Sequence, residues 1–236
     1  MTPSLRRLGG VLRRTETRAL ATLALCAGGA WAFLALGGEM QEGETLGLDR
    51  RLLLAFRTPG DPSRPLGSRS FQEAMRDLTA LGGFTVLTLV AVVGIVAFLL
   101  HGKRRHAMTL AITAVLAEIG SEQLKLLYGR PRPSLVPHGV YVYSGSFPSG
   151  HSMLSATVYL TLAMLIASLE PQRSLKVLTF LVAALIVAAV GVSRVYLGVH
   201  WPSDVLAGWC AGATCALAAW WALSTWGLRR PPRPAP

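Results

Sequence analysis

Six stretches of mostly apolar residues, roughly 19–37, 80–101, 107–127, 151–169, 176–193 and 203–226, occupy most of this 236-residue chain. A helix needs about 20 such residues to cross the hydrocarbon core of a bilayer. Lipid cannot satisfy open backbone groups, so stretches of that length commit to helix. The expected fold is therefore all-α, a polytopic membrane protein with six transmembrane helices. Composition agrees: 52% of residues are hydrophobic and only 15% charged, against about 25% charged in soluble domains. The last stretch is rich in Ala, Gly and Trp, which suits close helix packing.

The implied organisation is a basic cytoplasmic N-terminus (1–18), a membrane domain (19–226) and a cytoplasmic Pro/Arg tail (227–236). The first apolar run is too long for the core of a cleavable signal and reads as a retained helix. Cys26, Cys210 and Cys215 sit within apolar stretches; they read as small buried hydrophobes, with no disulfide framework and no metal-ligand spacing. The net charge of +11 does not point to nucleic acid, because the basic residues lie in short clusters between apolar blocks.

Those clusters orient the chain. With the N-terminus cytoplasmic, the inner segments carry thirteen of the 23 Lys and Arg, opposed only by Glu16 and Glu170, as the positive-inside rule requires. Six more lie in the outer 38–79 loop beside seven acids, leaving that loop nearly neutral. Residues 46–56 within it have helical apolar spacing and suit either a helix lying on the membrane surface or an ordinary structured loop. Lys125, Arg130, Arg132 and Arg194 remain as unneutralised cations on the outer side. Cations gathered against the rule point to an anion held among them.

Three segments meet at that outer interface. Lys125 to Pro133 is where span three leaves the membrane, Phe147-Pro-Ser-Gly-His151 is where span four begins, and Ser193 to Asp204 links spans five and six. Spans four and six both point their N-termini at the site, offering unpaired N–H groups and partial positive charge. Ser149 and Gly150 suit the start of a helix that approaches a ligand, and Pro202 suits a first helical turn. With Lys125, Arg132 and Arg194, this matches a phosphate monoester, which carries close to two negative charges. Two histidines supply chemistry without a metal: His200 as nucleophile and His151 as the acid that protonates the leaving oxygen. Asp204, four residues after His200, is placed to fix the tautomer of the attacking ring.

The patterns K-x6-R-P, P-S-G-H and S-R-x5-H-x3-D, all intact and in this order between Lys125 and Asp204, resemble the signature of the type 2 phosphatidic acid phosphatase (PAP2) superfamily. The resemblance implies a six-helix fold with the active site at the outer, periplasmic face, a phosphohistidine at His200 and leaving-group protonation by His151. It also implies a phosphate cradle of Lys125, Arg132, Ser149, Gly150, His151 and Arg194, with no cofactor. The implied activity is hydrolysis of a lipid phosphate or pyrophosphate in a bacterial inner membrane. Candidate substrates are phosphatidylglycerol phosphate, phosphatidic acid, diacylglycerol pyrophosphate, undecaprenyl pyrophosphate and lipid A phosphates. Alternatives are phosphate transfer to an acceptor lipid by the same first step, or a non-enzymatic lipid transporter; the superfamily's vanadate-holding haloperoxidases are largely soluble.

The remaining polar residues read less sharply. Glu118 and Glu122, four apart on one face of span three, could position Lys125, line a substrate path, or make an interhelical bond as protonated acids. Arg130 reads as a contact to lipid headgroup or substrate. His101, His106 and His138 read as plain interfacial residues. Trp201, Tyr141, Tyr143 and Tyr196 read as an outer aromatic belt, and Trp220, Trp221 and Trp226 as its inner counterpart.

Overall fold

The computed structural model describes residues 3–138 and 144–226. The predicted tail 227–236, Tyr141, Tyr143 and the side chains of Trp226 and of the first arginines lie outside the described residues.

Among the described residues, eight helices dominate. In chain order they are α1 (Pro3–Glu42), α2 (Leu46–Leu54), α3 (Arg69–Ala80), α4 (Phe84–Leu100), α5 (Arg104–Tyr128), α6 (Gly150–Leu169), α7 (Arg173–Tyr196) and α8 (Pro202–Trp226). Each predicted span falls on one of α1, α4, α5, α6, α7 and α8. Four of these (α1 from Ala19, α6, α7 and α8) are long and apolar enough to cross a membrane. A fifth span arises if α3 and α4, bent by 50° at their junction, act as one. α5 has the length but carries Arg104, Arg105, Glu118, Glu122 and Lys125. The helices present many exposed aliphatic side chains, such as Leu100, Leu126, Leu127 and Leu185, as an integral membrane protein must where lipid is the solvent.

α6 is the centre. It packs against α5, α7 and α8, while α1 lies along α8 and α3 along α7. Its apolar positions show almost no one-sided pattern, which is what a helix buried on all sides requires. α6 and α8 come unusually close: a Cβ on Gly212 would lie 2.3 Å from the Met153 carbonyl oxygen. The Gly- and Ala-rich composition of α8 thus brings two helix N-termini together.

α1 begins at Pro3 and continues to Glu42. The 38–79 connection is more built than expected. It holds α2, a short antiparallel hairpin of β1 (Arg57–Thr58) and β2 (Asp61–Pro65), and α3. α2 does not simply lie on a surface, because Asp49 and Leu53 are buried against the rest of the fold.

Candidate active site

The site forms where the end of α5, the start of α6, the end of α7 and the start of α8 meet. Ser149 begins α6 as its N-cap, accepting from Ser152 N (3.4 Å) and Ser152 Oγ (3.0 Å), while its own N–H donates to the Asp204 carbonyl (3.0 Å). This last bond ties the α6 start to the α8 start. Ser149 therefore shapes the turn through internal bonds, and the N–H groups of Gly150 and His151 are the ones that open the helix without an intrahelical acceptor. Lys125 reaches across from α5: a Cβ on Gly150 would lie 3.0 Å from Lys125 Nζ and 3.3 Å from Ser121 Oγ. Only glycine lets the ammonium approach that helix end so closely.

His200 sits in the loop between α7 and α8 and is 2% exposed. Its Nδ1 lies 2.8 Å from the Ser146 carbonyl oxygen. A carbonyl only accepts, so Nδ1 carries the hydrogen and Nε2 keeps its lone pair. Asp204, the expected partner, stands at 3.5 Å from Nδ1; its Oδ2 accepts instead from the Trp201 N–H (2.9 Å). Ser146, which carries no motif letter, is thus the direct holder of the ring, and nothing in the sequence marks a backbone carbonyl for that task.

On the other side of the ring, Arg132 Nη1 lies 3.1 Å from His200 Nε2. Arg132 is itself held by the carbonyls of Val199 (2.7 Å) and Ser144 (2.9 Å). Burial, and then the positive charges of Arg194 and Arg132, hold the His200 imidazole well below the usual histidine range; the Ser146 carbonyl pulls weakly the other way. Burial likewise lowers the Arg132 guanidinium, and Asp204 opposes that. Arg194 is buried; its Nη1 donates to Thr79 Oγ1 (3.0 Å) at the end of α3, and its buried Nε lacks a protein partner. His151 stands within electrostatic reach of Arg194, Lys125 and Arg132. The three cations and two histidines singled out in the sequence thus gather around one spot, and Asp204 lies directly behind it.

Of the two α5 acids, Glu122 bonds Lys125 (2.5 Å). Glu118 lines an apolar groove of about 340 Å³ between α4, α5 and α6, with Phe84, Leu87, Ile119, Leu154 and Val158 among its walls. The groove starts beside the site, since a Cβ on Gly83, the residue before Phe84, would lie 3.8 Å from His151 Nε2. His101, His106 and His138 bond Ala97 O, Ser168 Oγ and Pro133 O. Among the described residues, no group of three or more His, Cys, Asp or Glu side chains could hold a metal ion.

Three expectations are corrected. Arg130 does not face headgroup or substrate; it is 8% exposed and bonded to two buried carboxylates, Asp49 and Asp204. Trp201 and Tyr196 are not interfacial but buried. Trp201 Nε1 donates to Pro131 O (3.2 Å), and Tyr196 is packed edge-on by Phe56 and Phe71, its hydroxyl donating to Leu66 O (2.5 Å). For Arg130 and Tyr196 the physical reason is that the segment between α1 and α4 covers this end of the bundle; Trp201 is held by Pro131, Asp204 and the Arg130 guanidinium.

Comparison with known proteins agrees with this geometry. The model of the PAP2 superfamily matches residues 106–228. The chain is 35% identical over 142 residues to phosphatidylglycerophosphatase B of Bacillus subtilis, covering 59% of this chain and 69% of that protein. It is 34% identical over 115 residues to an undecaprenyl-diphosphatase of Sulfolobus acidocaldarius, covering 47% and 52%. The crystal structure of a transmembrane PAP2-type phosphatidylglycerolphosphate phosphatase from Bacillus subtilis superposes with a TM-score of 0.76 at 26% identity, covering 88% of this chain and 98% of that one.

Proposed function

The chain belongs to the PAP2 superfamily of phosphatases, and from that premise we propose that it hydrolyses a lipid phosphate or pyrophosphate through a phosphohistidine on His200. The observation that carries this reading is the held imidazole: Ser146 fixes Nδ1–H, so the Nε2 lone pair faces the Arg132 guanidinium at 3.1 Å. Burial and the neighbouring cations keep that ring neutral and nucleophilic.

The cycle has two in-line steps. His200 Nε2 forms a bond to phosphorus as the bond to the leaving oxygen breaks, and that oxygen takes a proton from His151. Water then attacks phosphorus, giving its proton to His151, and the N–P bond breaks to release inorganic phosphate. Lys125, Arg132, Arg194 and the first N–H groups of α6 surround the equatorial oxygens, where transition-state charge gathers. In this reading Lys125, Arg132 and Arg194 supply the positive charge that the phosphoryl group needs, so activity should survive EDTA. His200→Ala should abolish phosphate release while the protein still inserts and folds; turnover by that variant would refute the assignment.

The substrate reading is a polyprenyl or diacylglycerol lipid. The apolar groove opening beside His151 suits a hydrocarbon tail while the headgroup sits among the cations. The relatives' names point to two headgroups, phosphatidylglycerol phosphate and undecaprenyl pyrophosphate. Phosphate release by the purified chain from these two lipids side by side distinguishes them. In the same reading, six spans place both termini in the cytoplasm and the site at the periplasmic face of a bacterial inner membrane. Charge asymmetry supports that topology.

A further inference from the structure

The segment between α1 and α4 reaches the buried wall directly behind His200. Asp49 on α2 is 1% exposed. Its Oδ1 accepts from the backbone N–H of Ser203 (2.9 Å) in the first turn of α8, where a negative charge also complements the helix dipole. Its Oδ2 accepts from the Ser203 hydroxyl (2.6 Å) and from Arg130 Nη2 (2.8 Å). The other terminal nitrogen of Arg130 donates to Asp204 Oδ1 (2.5 Å) and to Ser203 Oγ (2.8 Å). The guanidinium carbon lies 5.5 Å from the centre of the Trp201 ring. Asp204 in turn receives the Trp201 N–H and faces His200 Nδ1 at 3.5 Å.

A chain of charge-assisted bonds therefore runs from α2 to Asp204, whose carboxylate stands 3.5 Å from His200 Nδ1. A planar guanidinium can bridge two carboxylates with separate nitrogens, which an ammonium cannot do in the same geometry. Resting on the hydrolase reading above, we propose that Asp49 and Arg130 are positioning residues for the reaction. They fix the first turn of α8 and the Trp201–Asp204 turn, and through these the place and tilt of His200, without touching the phosphate. In-line attack on phosphorus is sensitive to such tilt: a misplacement near 1 Å costs on the order of 10²-fold in rate.

The test uses the full-length chain in mixed micelles. Turnover of phosphatidylglycerol phosphate and of undecaprenyl pyrophosphate is measured beside inhibition by orthovanadate, which adopts the five-coordinate geometry of the transferring phosphorus. Inorganic phosphate serves as the ground-state ligand. Asp49→Asn and Arg130→Gln should each lower kcat by roughly 10²-fold and raise the vanadate inhibition constant in parallel. KM and the phosphate inhibition constant should stay within about threefold, as positioning acts mainly on the transition state. Arg130→Lys should fall between wild type and Arg130→Gln. Wild-type kcat in Asp49→Asn would overturn the proposal, as would a lower kcat with unchanged vanadate affinity, which reports only fewer folded molecules. His200→Ala in the same assay separates the two levels. If it still turns over, the assignment of His200 as nucleophile fails; if it is dead while Asp49→Asn is normal, only the positioning role falls.

Discussion

At the scale of single residues, the decisive feature is which nitrogen of His200 holds the proton. The Ser146 carbonyl settles it, and leaves Nε2 as the nitrogen with the lone pair. A pH signature follows. The folded-state pKa of His200 lies well below the usual value, whereas the unfolded ring titrates near about 6.5. Below that pH the unfolded chain binds more protons, so stability is lost as pH falls from about 6.5 toward the folded value. The unfolding midpoint of the purified protein should therefore drop between pH 7 and pH 5, with a shallower slope in His200→Gln. An equal slope in both would show that His200 is not held neutral by the fold. The motif residues Lys125, Arg132, His151, Arg194, His200 and Asp204 all stand out in the sequence, the cations because they fall outside the basic clusters that the positive-inside rule gives to the cytoplasm, the histidines and Asp204 by their chemistry and spacing. Ser146 and Asp49 do not, since a backbone carbonyl leaves no trace in side-chain chemistry and Asp49 is one of seven acids in a neutral loop. Arg130 was legible as a misplaced cation, but its partners lie 81 and 74 residues away.

At the scale of elements, apolar periodicity and length locate every long helix, yet the ends and the connections depend on contacts. The hairpin at Arg57–Pro65 is short and polar, without the alternation that marks a half-buried strand. What orders it is tertiary: Arg57 Nη1 donates to Tyr196 O (2.9 Å) at the end of α7, a cation at a helix C-terminus. Tyr196 and Trp201 are buried by tertiary contacts too, and in sequence a buried aromatic and an interfacial one look alike. The close α6–α8 pairing gives a sharper test. Gly212→Val would drive a side chain into the Met153 carbonyl, and overpacking of this kind costs about 1–3 kcal/mol. A lower thermal midpoint should accompany loss of activity, because the Ser149–Asp204 backbone bond depends on the same approach. An unchanged midpoint would mean the pair can separate at little cost.

At the scale of the whole molecule, lipid is the solvent and, in the proposed function, the source of substrate. The aliphatic exterior suits the bundle to a bilayer, and the apolar groove between α4, α5 and α6 is the proposed path of a lipid tail to the site. Narrowing that path at Ala114 or Ala91, both on its wall, separates tail binding from chemistry. Ala114→Phe should raise KM severalfold for a long-chain lipid phosphate and leave a short-chain, water-soluble analogue unaffected. Equal effects on both would show that the groove is not the tail's route.

The central claim is that phosphorus passes through the Nε2 atom of His200. It is tested most directly by quenching turnover of a ³²P-labelled lipid phosphate in alkali, which preserves phosphohistidine, and mapping the labelled peptide. Acid-labile label is expected on the peptide containing His200, formed within the time of one turnover. Label on any other residue, or steady phosphate release with no protein-bound label at any quench time, would contradict it.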